Sequence, residues 1–72
     1  MNEYKSIHIS TPYIALGQML KLARLISNGG EAKFFLAENE VRVNGEVDNR
    51  RGRKLYPGDE ILVLGKRFRI ES

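Results

Sequence analysis

Cysteine is absent from the 72 residues, which removes disulfides, thiol nucleophiles and thiolate metal sites together. Histidine occurs once, as His8. It sits on the polar side of an alternating segment with no carboxylate near it in sequence, and reads as a surface strand residue rather than a base or ligand. No serine stands in a nucleophile-elbow setting, and the carboxylates are scattered, with Glu31 and Asp59 placed as cap and turn residues. No metal-ligand spacing occurs. Together these absences argue against an enzyme, and no cofactor is expected. No apolar run approaches the ~18 residues of a membrane span, so no membrane partner is expected. The first residues, Met1 to Lys5, lack the charged-then-apolar layout of a secretory signal. The expectation is a soluble cytoplasmic protein.

What remains is ordinary for a small folded unit. The apolar fraction is 42%, and the length fits one domain, 1–72, near the lower limit for a core without staples. Twelve Lys and Arg against nine Asp and Glu give a net charge of +3, which favours anionic partners without identifying one.

The stretch from Asn28 to Gly45 organises the chain. Asn28 and Glu31 have capping-box spacing, and Ala32, Phe35 and Leu36 form one apolar face, which predicts a helix over 29–38. Asn39 stands where a left-handed C-cap would end it. Val41 and Val43 alternate with Arg42 as in a strand with one buried face, and Asn44-Gly45 supplies the positive φ angles of a two-residue hairpin turn. Before this unit, residues 4–10 alternate as a strand with Ile7 and Ile9 on one side. Leu16, Met19, Leu20 and Ala23 then predict a helix that starts between Pro12 and Leu16 and ends near Ile26.

After the unit, 46–48 reads as the return strand, Leu55-Tyr56 as an anchor to the core, and Pro57-Gly58-Asp59 as a type II turn. The apolar run 60–64 predicts a strand covered on both faces, and Gly65-Lys66 a turn into a last alternating strand. The fold class is α+β: a helical hairpin packed on a small, largely antiparallel β-sheet.

Basic residues are the functional lead. Arg50, Arg51, Arg53 and Lys54 fall in six consecutive positions, 49–54, without an acid. Arg42 projects from the outer face of the neighbouring strand, Lys21 and Arg24 are predicted to share a helix face, and Lys33 lies early in the second helix. Guanidinium groups bind phosphate oxygens bidentately. Gly29-Gly30 at a helix start allow a phosphate to approach free N–H groups, or simply permit a sharp turn between helices. The three phenylalanines fall mostly at core-like positions, so base stacking is not the expected mode of binding.

The pattern Ala32-Lys33, Leu36, Val41-x-Val43-Asn44-Gly45 and Pro57-Gly58-Asp59-x-Ile61 resembles the S4 RNA-binding domain, over about 16–63. Length, the L-G-Q-M-L-K-L stretch and the R-R-G-R-K loop resemble its small stand-alone YaaA/YbcJ-like branch. The resemblance implies a two-helix RNA-binding motif, called αL, on a small sheet. It also implies a non-enzymatic RNA-binding function, directed at structured ribosomal or ribosome-associated RNA through phosphate and shape contacts. By position it carries over Lys33, Asn44 and Gly45. Family members typically begin the first helix R-L-D-K, where this chain has Ala15, Leu16, Gly17 and Gln18, and often have arginine where Gly29 stands. Lys21, Arg24 and the loop cations are then expected to supply that charge. The alternative is an adaptor of the same fold docking to a ribosomal or nucleic-acid-processing protein.

Overall fold

The computed structural model describes residues 3–72. Seven strands and two α-helices follow in the order β1 (Lys5–His8), β2 (Ile14–Ala15), α1 (Leu16–Leu22), α2 (Ala32–Glu38), β3 (Val41–Val43), β4 (Glu46–Val47), β5 (Lys54–Leu55), β6 (Glu60–Val63) and β7 (Lys66–Glu71). A five-stranded sheet runs β1-β7-β6-β3-β4, and β2 pairs with β5 as a separate two-stranded ribbon. All pairings are antiparallel except β1 with β7, so the expected α+β architecture with its largely antiparallel sheet is what forms.

Alternation places the core. Ile7, Val41, Val43, Ile61, Val63, Phe68 and Ile70 are buried on one face of the sheet, and Leu16, Met19, Leu20, Ala32 and Leu36 of the helices complete the cluster. Only one face is covered. Leu62, at the centre of β6, is 41% exposed, so the expectation of a strand buried on both sides is corrected: the helices occupy a single layer. Leu64 lies outside the strand altogether. Val63 pairs with Lys66, and Leu64 and Gly65 both have positive φ, so the hairpin turn is Leu64-Gly65, one residue earlier than expected.

The helices are also shorter than their periodicity predicts. Helix α1 ends at Leu22, not near Ile26. Arg24 takes a left-handed conformation, φ 61°, its N–H donates to the Lys21 carbonyl and the Leu25 N–H donates to the Leu20 carbonyl (both 3.0 Å). That pair of bonds is a Schellman stop with arginine at the position usually given to glycine. Arg24 therefore does not share a helix face with Lys21. The second helix begins as a 3₁₀ turn, Gly29–Glu31, before α2 proper. Asn39 is extended rather than left-handed (φ −129°); its backbone N–H and its side-chain amide both donate to the last-turn carbonyl of Phe35, at 2.9 and 3.1 Å, which closes the helix end without a change of hand.

Candidate nucleic-acid interface

The basic loop is built into the fold by its backbone. Leu16 and Gly17, at the start of α1, have N–H groups with no partner inside their own helix. They donate to the carbonyls of Arg53 (2.8 Å) and Arg51 (2.9 Å). Gln18 completes the cap by accepting from the Ala15 N–H at 3.0 Å. The β2–β5 ribbon holds the same junction from the other side, Ala15 opposite Lys54. The loop thus caps the helix and the helix fixes the loop.

Gly17 explains one departure from the family pattern. A Cβ there would stand 3.3 Å from the Ala32 Cβ and 3.4 Å from the Arg51 carbonyl oxygen. Glycine eases the close approach of α2 at Ala32, while the loop would meet a Cβ at ordinary contact distance; the helix-propensity cost is ~1 kcal/mol.

Asp48 holds the inside of the loop. Its carboxylate accepts from the Arg50 N–H (2.9 Å), from Arg50 Nε and Nη2 (3.1 and 2.8 Å) and from Arg53 Nη1 (2.8 Å). The hydrogen bond from the Arg50 side chain, with the Arg50 N–H and Arg53 adding to it, holds the Asp48 carboxyl far below the usual carboxylate range against the cost of its burial. The same contact raises the Arg50 pKa. Sequence reasoning missed Asp48, although the signal was present: an acid two and five residues before two arginines of a basic run.

The remaining cations divide by face. Lys33 and Arg51 line one groove of about 300 Å³ with Leu36, Ala37 and Asn49, so α2 and the loop present charge together. Lys21 is exposed in the last turn of α1, one helical turn beyond Gly17. Arg24 is exposed just past the helix end. Among the described residues, no carboxylate lies within ion-pair distance of Lys21, Arg24, Lys33, Arg51 or Lys54.

Arg42 is elsewhere. It projects from the outer face of β3, where its Nε meets Glu40 Oε2 at 2.8 Å and its Nη1 reaches the Gly45 carbonyl at 3.3 Å. On the same outer face Arg67 and Arg69 share Glu60 (3.0 and 2.9 Å), and Arg67 first, then Arg69, lowers the Glu60 pKa.

At the start of the second helix, the N–H groups of Ser27 and Asn28 donate to the Glu31 carboxylate (3.0 and 3.2 Å). Beside Gly29 and Gly30, therefore, stands a negative charge. Asn44 is a structural clasp. Its amide nitrogen donates to Asp59 Oδ1 and its amide oxygen accepts from the Glu60 N–H (both 3.0 Å). Asn44 and Gly45 adopt φ 52° and 87°, the left-handed pair of a type I′ turn, at which glycine is strain-free. Asp59 Oδ2 in turn accepts from the Tyr56 N–H at 2.8 Å. The separated V-x-V-N-G and P-G-D elements are one hydrogen-bonded unit, which explains why the pattern needs both halves.

Two aromatic features also differ from expectation. Phe34 is 68% exposed, and Tyr56, instead of anchoring the loop, is 49% exposed; buried Leu55 alone is the anchor. Tyr56 packs its ring against Tyr13, centroids 5.6 Å apart.

A sequence model described as the S4 domain matches residues 7–71. The "Probable ribosome maturation protein RlbA" of Bacillus subtilis strain 168 is 61% identical over 59 residues, covering 82% of this chain and 83% of that protein. The "Putative RNA-binding protein YbcJ" of Escherichia coli K12 is 30% identical over 59 residues, 82% of this chain and 84% of that one. A tyrosine–tRNA ligase of Burkholderia lata is 27% identical over 66 residues, 92% of this chain but 16% of the ligase. With the family's pattern matched over nearly the whole length and its two motif halves joined by Asn44 and Asp59, this chain belongs to the S4 domain family.

Proposed function

We propose that the protein is a non-enzymatic, cytoplasmic RNA-binding domain that recognises structured RNA, ribosomal or ribosome-associated, through phosphate and shape contacts. The observation that carries this reading is the groove in which Lys33 of α2 and Arg51 of the loop face solvent together, without carboxylate partners among the described residues. Lys21, Arg24 and Lys54 extend that surface, and Arg50 and Arg53 stiffen its loop through Asp48 while leaving the Arg50 side chain 71% exposed. The helix start at Gly29-Gly30 is left out of the proposed contact set, because the Glu31 carboxylate would oppose a phosphate there. Arg42 and Asn44 are left out as well, since their polar groups are engaged within the fold. The S4 family and the relative named as an RNA-binding protein support an RNA partner, and the relative named for ribosome maturation supports a ribosomal setting. Among the described residues no helix is long and apolar enough to cross a membrane.

The test is a titration of a stem-loop RNA at two salt concentrations. Each lost phosphate contact lowers the log–log salt slope by ~0.7–0.9. Lys33→Ala with Arg51→Ala should remove up to about two contacts' worth of slope, whereas Arg67→Ala with Arg69→Ala should leave it unchanged. Equal slopes for the wild type and the first pair, both folded, would overturn the reading. One observation favours the second reading, a protein-interaction adaptor: Val47, Leu62 and Leu64 are exposed on the outer side of the sheet and its hairpin (57%, 41% and 57%).

A further inference from the structure

Tyrosine beside a basic loop raises a question that phosphate contacts leave open. Leu55 is fully buried, yet its neighbour Tyr56 turns outward into an open cleft of about 580 Å³ lined by Arg50, Gly52, Arg53, Lys54 and Asp59. Tyr13 stands behind it, tilted by 48° at a centroid distance of 5.6 Å, and is not part of the cleft wall. Lys54 Nζ lies 4.9 Å from the centre of the Tyr13 ring, so a cation is held beside the aromatic pair instead of swinging free.

The backbone under Tyr56 is fixed from both directions. Its N–H donates to Asp59 Oδ2 (2.8 Å) and its carbonyl accepts from the Asp59 N–H (2.9 Å). Asp59 is itself held by Asn44. The clasp that defines the family pattern therefore also orients an exposed aromatic ring next to the loop cations, and little order has to be gained on binding.

We propose that Tyr56, backed by Tyr13, is a stacking platform for an unpaired base of the bound RNA. Lys54, which has no carboxylate partner among the described residues, flanks the cleft to meet a phosphate beside that nucleotide. The ligand class of this subsite is a nucleotide, not a bare phosphate: aromatic faces take any base, while the cations hold the backbone. The volume suits one, within the ~300–1,000 Å³ usual for small-ligand sites. The inference rests on the RNA-binding reading, and reverses the expectation that stacking plays no part. That expectation considered the phenylalanines, whereas the exposed rings beside the loop are tyrosines.

The experiment compares a labelled hexauridylate with an abasic ribose-phosphate hexamer of the same length, titrated at low salt into the wild type, Tyr56→Phe and Tyr56→Ala. The two oligomers carry the same backbone charge and differ only in bases. The wild type and Tyr56→Phe should prefer the base-bearing oligomer by about 5- to 100-fold, and Tyr56→Ala should bind both alike. The salt slope should be the same in all three, because no phosphate contact is removed. A wild type that binds both oligomers equally, or a Tyr56→Ala variant that keeps the preference, overturns the platform and leaves the phosphate surface standing. If neither oligomer nor a stem-loop RNA binds the wild type at low salt, the RNA-binding reading fails and the platform with it.

Discussion

The outer face of the sheet and the helix-and-loop side both carry arginine, and they use it differently. On the sheet face each arginine meets a carboxylate: Arg42 pairs with Glu40, and Arg67 and Arg69 share Glu60. On the helix-and-loop side one carboxylate, Asp48, gathers Arg50 and Arg53, while Arg51, Lys33, Lys21 and Arg24 have no such partner among the described residues. The lesson is that net charge says little about where a polyanion will dock. A cation already paired at 2.8–3.0 Å must give up its carboxylate before it can serve a phosphate, whereas an unpaired one gives up only water and counterions. The sheet-face pairs are exposed and contribute little to stability; what they do is engage each of these arginines with a carboxylate.

The largest effect should come from Asp48, where the two uses of arginine meet. Asp48→Asn keeps the shape and removes the charge that holds Arg50 and Arg53. The loss should be ~1–3 kcal/mol in denaturant unfolding, the scale of hydrogen bonds to charged groups. Its pH dependence has a definite sign. The folded carboxyl ionises far below its ordinary range, so its stabilising contribution is complete above the unfolded-state value of ~3.9 and is lost as pH falls below that. The gap between wild type and Asp48→Asn should therefore be constant near neutrality and shrink below about pH 4. A gap that persists unchanged into acid would mean that the carboxylate's charge is not what holds the loop.

Much of this was legible in the residues. Alternation at Val41 and Val43 and the turn residues Asn44 and Gly45 specify local geometry, and local geometry is what periodicity and propensity encode. Helix ends were misjudged because Ala23 and Ile26 continue the apolar spacing, and only the bonds from Arg24 and Leu25 back to the helix reveal the stop. The β2–β5 ribbon was missed because its strands are two residues each, too short for any period to show. The grouping of cations by face depends on long-range partners such as Glu60 with Arg69, and single-sequence patterns do not record who faces whom.

Arg24 sharpens the comparison because it carries strain on the proposed binding side. A non-glycine residue in the left-handed region costs ~1–2 kcal/mol. Arg24→Gly should relieve part of that, for a gain of ~0.5–1 kcal/mol against the extra chain entropy of glycine. If Arg24 meets phosphate, RNA affinity should fall while the melting temperature rises. Opposite signs from one substitution separate a binding role from a structural one. A variant that gains stability and keeps its full RNA affinity and salt slope would remove Arg24 from the interface.

Leu64 is the counterpart on the other side, and its expected effect is the smallest. The Leu64-Gly65 turn has φ 52° and 73°, and the Asn44-Gly45 turn 52° and 87°, so the molecule holds two type I′ turns differing in their first residue. Asparagine tolerates that conformation because its short polar side chain bonds locally, whereas leucine gains nothing there and is 57% exposed. Leu64→Asn should stabilise by ~0.5 kcal/mol, raising the melting temperature by about 2–4 °C for a domain of this size. RNA affinity and salt slope should not move, since the substitution adds no charge and lies in the β6–β7 turn, outside the basic loop and the Lys33–Arg51 groove. A drop in stability would show that the exposed leucine packs on the sheet more than its exposure indicates. A drop in RNA affinity with stability intact would break the division of the molecule into a sheet face of paired arginines and a helix-and-loop face that carries free cations among the described residues, because binding would then depend on a side where every arginine is already paired.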